Sequence, residues 1–439
     1  MSNDSVWSIS PLDGRYHKRL GDLKAYVSEG GLVLNRIKVE CAWLLHLSQI
    51  PGLPLSAIQG KERVQILLEN WIKNPPVESV LAIKEIERKT NHDVKAVEYW
   101  LKEALSKEGA HPLWLSFIHF GCTSEDINSL AYGLMIKSCK KEKLLPTIED
   151  LIKVLGQRAL EYAEIAMLAR THGQPASPTT LGKELGVFAF RLFEEKKVFE
   201  QVKVSGKMSG AVGNFNAHSI CFPDLSWDEI AKSFIENKLQ LTCHPFTTQI
   251  DPHDYLSHYL QSLCRVSTIA LDLSCDLWGY ISLGYFDQKN NQQEVGSSTM
   301  PHKVNPIDFE NAEGNLGVAR SLALHLSNKL PVSRFQRDLS DSTVLRSFGT
   351  TIGHFLLAID SLLAGISKIS PSQDKIHKDL ENKWQLLAEP LQMTMRSNGC
   401  LNAYEMIKDL SKGKSWTKSQ YFEFIKENTV LSADQKAYF

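Results

Sequence analysis

No excess of charge of either sign marks this chain: 49 Lys and Arg stand against 50 Asp and Glu, a net charge of −1 over 439 residues. No basic block breaks that balance, so no obvious surface exists for neutralising a phosphate backbone, and nucleic acid is not expected as a partner. The first thirty residues hold no continuous apolar core, so no signal peptide is expected. No run approaches the roughly 18 apolar residues of a membrane span, and no membrane is expected either. Cysteine is sparse, eight in all, and none forms a C-x-x-C pair. Cys41, Cys139, Cys264 and Cys275 sit among apolar or helical neighbours, as buried free thiols do in a reducing compartment. A soluble cytoplasmic protein is expected. The length and the 43% hydrophobic content suit two or three ordinary globular domains.

Cofactor signals are missing as well. Gly413-Lys414-Ser415 ends like a phosphate-binding loop, but Lys408 stands where its first glycine belongs. Gly206, Gly210 and Gly213 follow no strand and do not spell G-x-G-x-x-G. There is no H-E-x-x-H, His244 with His253-Asp254 lacks metal-site spacing, and no G-x-S-x-G elbow occurs. The expectation is no cofactor and no metal, with the chemistry carried by side chains through acid–base catalysis and electrostatics.

What the chain has is long helical periodicity. Leu144, Ile148, Leu151, Ile152, Leu155 and Ala159 form the stripe of a helix with one buried face. Leu181, Leu185, Phe188, Leu192, Phe199 and Val202 form another. From Asp254 to Phe286, a stretch without proline, Leu256, Leu260, Leu263, Ser267, Ala270 and Leu277 continue one face, with Val266, Ile269, Leu273 and Tyr280 beside it. As one helix that stretch is about 50 Å long. Pro306 to Leu330 and Asp341 to Lys368 also read as helical. Helices of this length outrun a compact monomer, and the second stripe points to a homo-oligomer with a shared bundle. No strand pattern of any length, internal repeat or low-complexity tract appears. The expected organisation is all-α in three helical domains: residues 1–110, a central long-helix bundle over 111–368, and 369–439.

Four segments carry polar residues that a bundle core does not need. In Gly296-Ser297-Ser298-Thr299-Met300-Pro301-His302-Lys303-Val304-Asn305-Pro306, polar side chains precede a helix start and its unpaired amides, a place for a carboxylate or phosphate; it reads equally as a plain loop. Thr171-His172 lies in a loop where a lone histidine is more often structural. Thr123-Ser124 followed by two acids reads first as a helix cap, although its hydroxyls could hold a ligand carboxylate. In Thr90 to Tyr99, Asn91 or Asp93 could cap a helix.

Gly296 to Pro306 matches every defined position of G-S-S-x-M-P-x-K-x-N-P, and on that loop the chain resembles the fumarase/aspartase superfamily. The Thr123-Ser124 and Thr171-His172 segments match its other two active-site segments in order. Ser10 to Tyr16, Thr90 to Tyr99, Cys122 to Asn128, Thr247 to Tyr255 and Arg334 to Arg346 are similar to the longer bacterial type of one branch, whose substrates are adenylosuccinate and the succinylated ribotide SAICAR. The family's chain usually continues further, so the C-terminal domain is expected to be trimmed.

The resemblance implies a central five-helix bundle that builds a twenty-helix core in a homotetramer, with active sites shared between subunits. It implies β-elimination of fumarate, leaving AMP or AICAR, in purine biosynthesis. It makes Ser297 the base and His172 the acid, with Glu310 orienting a histidine. Lys303 and Asn305 face the succinyl carboxylate that becomes electron-rich, with Ser298 adding a donor. Thr123 and Ser124 hold carboxylate oxygens; Asn91, His92, Asp93 and Gln249 contact substrate, as do Val304, Asn311 and Thr343. Arg15, Tyr16, Arg337, Ser342 and Arg346 match the phosphate positions. Argininosuccinate lyase, fumarase and aspartase share the signature loop, but their substrates carry no phosphate. A catalytically silent helical scaffold would be expected to have lost Ser297, His172, Lys303 or Asn305, and all four are present.

Overall fold

The structure, a computed structural model, describes residues 6–289, 299–300, 302–413 and 416–439. Ser297 and Ser298 therefore lie outside the described residues. The architecture is all-α, as expected. The helices that matter for the site are α1 (Glu29–Leu47), α2 (Ser79–Thr90), α3 (Asp93–Lys107), α4 (Ser124–Cys139), α5 (Leu145–Glu161), α6 (Leu181–Gln201), α7 (Asp254–Ser282), α8 (Ile307–Lys329), α9 (Ser340–Leu345) and α10 (Phe348–Lys368). Six strands of two or three residues make three small ladders. β1 (Ala166–Leu168) pairs antiparallel with β2 (Pro178–Thr180), β3 (Ser205–Gly206) parallel with β4 (Thr242–Cys243), and β5 (Phe286–Gln288) antiparallel with β6 (Ile369–Pro371). Strands this short leave no alternation to read in a sequence.

The chain forms two compact units. Unit 1 comprises Met1–Glu149, Glu194–Leu271 and Ala312–Asp360; unit 2 comprises Asp150–Phe193, Asp272–Asn311 and Ser361–Phe439. The five long helices α5, α6, α7, α8 and α10 each contribute residues to both. In unit 1, α1 packs on α4 and α2 on α3, and Ile37, Trp43 and Leu44 are at most 1% exposed. Each such side chain is worth roughly 1.5–3 kcal/mol of burial. In unit 2, a separate apolar cluster over residues 391–431 gathers Leu391, Met395, Ile407, Trp416 and Tyr421.

Two of the long helices differ from the sequence reading. α7 stops at Ser282, not Phe286, because Gly284 takes a left-handed φ of +74°. The Tyr285 amide then bonds the Tyr280 carbonyl at 2.8 Å and the Gly284 amide bonds the Ile281 carbonyl at 2.9 Å, the pattern of a Schellman cap. The 341–368 stretch is two helices, since Arg346 and Ser347 form a turn between α9 and α10. Residues 340–368 are also long and apolar enough to cross a membrane by length and composition. That apolar surface is used inside the protein: Ile352, Phe355, Ala358, Ile359 and Leu362 are fully buried. The second stripe of α7 is likewise covered within the chain, with Val266, Ile269 and Leu273 buried. Exposed apolar side chains lie instead on α6 (Val187, Phe190, Phe193, Val198), on α8 (Val318, Leu324) and at Trp278.

Candidate active site

Two short breaks in unit 1 bring polar groups to helix ends. α2 ends at Asn91 in the left-handed region (φ +51°), and His92 caps the next helix by accepting the Lys95 amide on Nδ1 at 3.1 Å. With Nδ1 an acceptor, a neutral His92 carries its proton on Nε2. Asp93 follows at the head of α3 and binds the buried Arg36 guanidinium of α1 at 2.6 Å. Burial works against the Asp93 charge, but Arg36 and the Val94 amide outweigh it and hold the carboxyl below the ordinary carboxylate range. Arg36 also reaches the Asn128 side chain of α4 at 2.9 Å, so one guanidinium ties three helices together.

At the head of α4, Thr123 and Asp126 form a capping box. The Asp126 carboxylate accepts the Thr123 amide at 2.8 Å. The capping reading of this segment therefore holds, and Thr123 and Ser124 line a cavity at the same time. Opposite them stands Arg337, whose Nη1 lies 3.2 Å from Glu125 Oε1 and 3.2 Å from Gln249 Oε1, while Nη2 reaches Ser342 Oγ at 3.4 Å. Arg346 donates to the Ser342 carbonyl at 2.9 Å and has no carboxylate partner among the described residues. Asp338 starts α9. Bonds from the Ser340 hydroxyl and amide push its carboxyl down to about 2.

These groups surround a cavity of about 550 Å³ within unit 1. Of the residues singled out in the sequence, Asn91, His92, Asp93, Thr123, Ser124, Gln249, Arg337, Ser342 and Arg346 line it. Arg15, Tyr16 and Thr343 are not in its lining. Arg15 and Thr343 are exposed, and Tyr16 lies under the Arg19 guanidinium, 6.0 Å from the ring centre. Arg36, Glu125, Asn128, Tyr132, His253 and Asp341 add further polar groups to the wall, and sequence reasoning gave none of the six a role. Arg36 and Tyr132 stand in stretches that read as ordinary helix, whereas the Cys122 to Asn128, Thr247 to Tyr255 and Arg334 to Arg346 stretches take in Glu125, Asn128, His253 and Asp341 without singling them out.

His253 is buried in a left-handed turn (φ +59°) with Nε2 3.6 Å from Asp341 Oδ2. Burial disfavours its charge, yet Asp341 and Asp251 outweigh that and lift the imidazole above its ordinary 6.5. Asp341, penalised by burial in turn, is carried below its ordinary 3.8 by His253, the Ser342 amide and Arg337. The His253 contribution to stability is complete below pH 6.5 and is lost as pH rises through the raised value. The Asp341 contribution is present above pH 3.8 and is lost as pH falls through the lowered one. His253→Asn keeps a side chain that tolerates the left-handed backbone. Its stability deficit against wild type, read by urea unfolding, is expected to be greatest between pH 3.8 and 6.5 and to shrink at higher pH.

The remaining singled-out residues belong to unit 2. The β1–β2 ladder closes a loop at Leu168 and Pro178, and His172, exposed and left-handed (φ +53°), sits in that loop. Lys303 is exposed before α8 and Asn305 half-buried. The Val304 carbonyl accepts Gln288 Nε2 at 3.0 Å. Glu310 accepts the Trp278 indole at 3.1 Å, and Asn311 accepts the Ser361 hydroxyl at 2.8 Å. No group of three or more metal-ligating side chains occurs among the described residues.

Residues 58–320 match the family described as Lyase, and residues 333–438 match the one described as Adenylosuccinate lyase C-terminal. Two solved structures share the fold. One is a 3-carboxy-cis,cis-muconate lactonizing enzyme from Pseudomonas putida, with a TM-score of 0.73 at 16% identity over 95% of this chain and 91% of that one. The other is a β-carboxy-cis,cis-muconate cycloisomerase from Acinetobacter calcoaceticus, with a TM-score of 0.70 at 16% identity over the same shares. The family matches and the all-α fold define a carbon–nitrogen lyase of the fumarase/aspartase superfamily. Adenylosuccinate lyases are close in sequence throughout: that of Escherichia coli K12 is 43% identical over 100% of this chain and 95% of its own, and that of Haemophilus influenzae 45% over 97% and 93%. That of Vibrio cholerae is 43% identical over 99% of this chain and 95% of its own. The chain belongs to the adenylosuccinate lyase family.

Proposed function

We propose that this enzyme releases fumarate from adenylosuccinate, giving AMP, and from SAICAR, giving AICAR, as steps of purine nucleotide biosynthesis in the cytoplasm. The observation that carries the reading is the unit 1 cavity, which joins a helix start bearing Thr123 and Ser124 to Arg337, Ser342 and Arg346. A helix start bearing hydroxyls suits a carboxylate, and arginine suits a phosphate. A substrate carrying both groups matches that pairing, whereas argininosuccinate and malate carry no phosphate.

In this reading the proton leaves the carbon beside one succinyl carboxylate, and the neighbouring carbon–nitrogen bond breaks. Charge gathers on that carboxylate in between, so cations and dipoles placed there lower the barrier. Ser297 takes the proton and His172 gives one to the departing nitrogen. Lys303, Asn305 and Ser298 face the charged carboxylate, with Val304 and Asn311 beside them. Arg15 and Tyr16 join the phosphate group, and Thr343 contacts the substrate. A serine is a weak base, so it works only in a closed, cation-rich site. No cofactor or metal takes part.

The enzyme works as a homotetramer with active sites shared between subunits and a twenty-helix core. The exposed apolar residues of α6, α7 and α8 support this, with Phe190 65% and Trp278 44% exposed, since faces of that kind on long helices mark contacts with other chains. Glu310, paired here with an indole, would then meet its histidine on another subunit. The three-domain division also stands as a proposal, favoured at its C-terminal end by the separate apolar cluster over 391–431.

An absorbance assay tests the substrate assignment. Fumarate and AMP are expected in equal amounts from adenylosuccinate, and fumarate and AICAR from SAICAR. Turnover of argininosuccinate instead, with neither nucleotide consumed, would overturn it.

A further inference from the structure

Behind the cavity wall two opposite charges are wholly buried. Lys207 and Asp126 are both 0% exposed in their side chains, and Lys207 Nζ lies 2.8 Å from Asp126 Oδ1. The contacts of the pair join three stretches of chain: the start of α4, the 207–210 turn and Gln249. Lys207 Nζ donates to the Gln249 carbonyl at 2.7 Å and to the Gly210 carbonyl at 3.3 Å. Its own amide donates to Ser129 Oγ on α4 at 3.1 Å. Asp126 accepts the Ser209 amide at 2.9 Å, the Gly210 amide at 3.1 Å and the Thr123 amide at 2.8 Å. The approach is close: a Cβ on Gly210, which has φ +80°, would stand 3.3 Å from the Gly121 carbonyl oxygen. The parallel ladder of β3 and β4 sets the 207–210 turn beside the strand that runs on to Gln249.

An ion pair is a poor way to obtain stability here. Desolvating two charges costs about what their attraction returns, and well-packed apolar side chains of similar volume are often neutral or better. What an ammonium offers is three directed donors, and here three acceptors from three segments meet them. Two of those segments carry Gln249 and the Thr123-Ser124 helix start, which line the cavity.

We propose that Lys207 is a positioning residue: through Asp126 and the Gln249 carbonyl it sets the spacing between Gln249 and the Thr123-Ser124 helix start, and so the fit of the succinyl end of the substrate. This rests on the reading that the cavity binds adenylosuccinate. A loss of that spacing weakens the hold on substrate while leaving proton transfer by other residues intact, and such a change raises KM with kcat unchanged.

The test is a steady-state comparison of wild type with the neutral pair Lys207→Met/Asp126→Asn, which leaves no lone buried charge. KM for adenylosuccinate is expected to rise about tenfold or more, with kcat within about threefold of wild type. A folded double variant with wild-type KM overturns the proposal, as does a fall in kcat alone. Should the double variant not fold by circular dichroism, Lys207→Gln/Asp126→Asn decides in its place, since it also leaves no lone buried charge, with a KM about threefold higher expected and a wild-type KM overturning. A wild-type protein inactive on adenylosuccinate and SAICAR overturns the substrate reading instead, and this proposal with it.

Discussion

Proteins carrying Ser297→Ala or His172→Ala are each expected to be almost inactive, and a mixture of the two to regain activity. The loss follows from chemistry. A base and an acid placed at the reacting atoms contribute about 10²–10⁴-fold each, so kcat should fall by that factor in either variant. The double variant should be little worse than the singles, because the two groups serve one reaction and their losses do not add. The recovery follows from assembly. If Ser297 and His172 of one site come from different subunits, random mixing of equal amounts leaves about a quarter of the sites with both natural residues. If one subunit supplies both, no mixture recovers. The measurement is fumarate release before and after the two proteins are unfolded together and refolded, with each alone as control. Recovery near a quarter supports shared sites, and no recovery rejects them.

The parts of this molecule legible in the sequence are those set by local rules. Apolar stripes at a spacing of three and four gave away α5, α6 and α7, because a helix with one buried face must repeat in that way. Thr123 with Asp126 was legible as a cap for the same reason: the partners are three residues apart. The ends of helices were harder. Leu283 and Tyr285 keep the apolar composition going past Ser282, and only the left-handed Gly284 turns the chain. Between α9 and α10 no glycine or proline marks the turn at Arg346 and Ser347, so the pattern reads as one helix.

Most of the cavity's supporting wall was illegible for a different reason. Arg36, which organises Asp93 and Asn128, sits in a helix of ordinary composition, and its partners are 57 and 92 residues away. His253 and Asp341 lie on different elements and gain their altered charge states only when burial and proximity combine. No spacing rule connects such residues. The signature loop worked in the opposite sense: it was legible as a motif, yet Ser297 and Ser298 lie outside the described residues, and its role rests on the resemblance.

Lys207→Met alone is expected to be among the most damaging single substitutions outside the reacting groups. The change removes the ammonium but leaves the Asp126 carboxylate in a place that no water reaches, since that side chain is 0% exposed. Three amides still face Asp126, from Thr123, Ser209 and Gly210, and they soften the penalty without cancelling a full charge. The Gln249 carbonyl loses its 2.7 Å donor as well. Breaking a buried pair by removing one partner costs about 3–5 kcal/mol, a large share of the 5–15 kcal/mol by which folded domains are stable. The urea midpoint of Lys207→Met should therefore fall well below that of wild type, while adding Asp126→Asn should recover a large part of the loss, because the stranded charge is gone. A double variant no more stable than Lys207→Met would mean that the ammonium matters for its hydrogen bonds to Gln249 and Gly210 and not for the charge it neutralises. Full recovery, with KM still raised, would separate the two duties of this pair: its charges balance each other, and its directed bonds hold the cavity in shape.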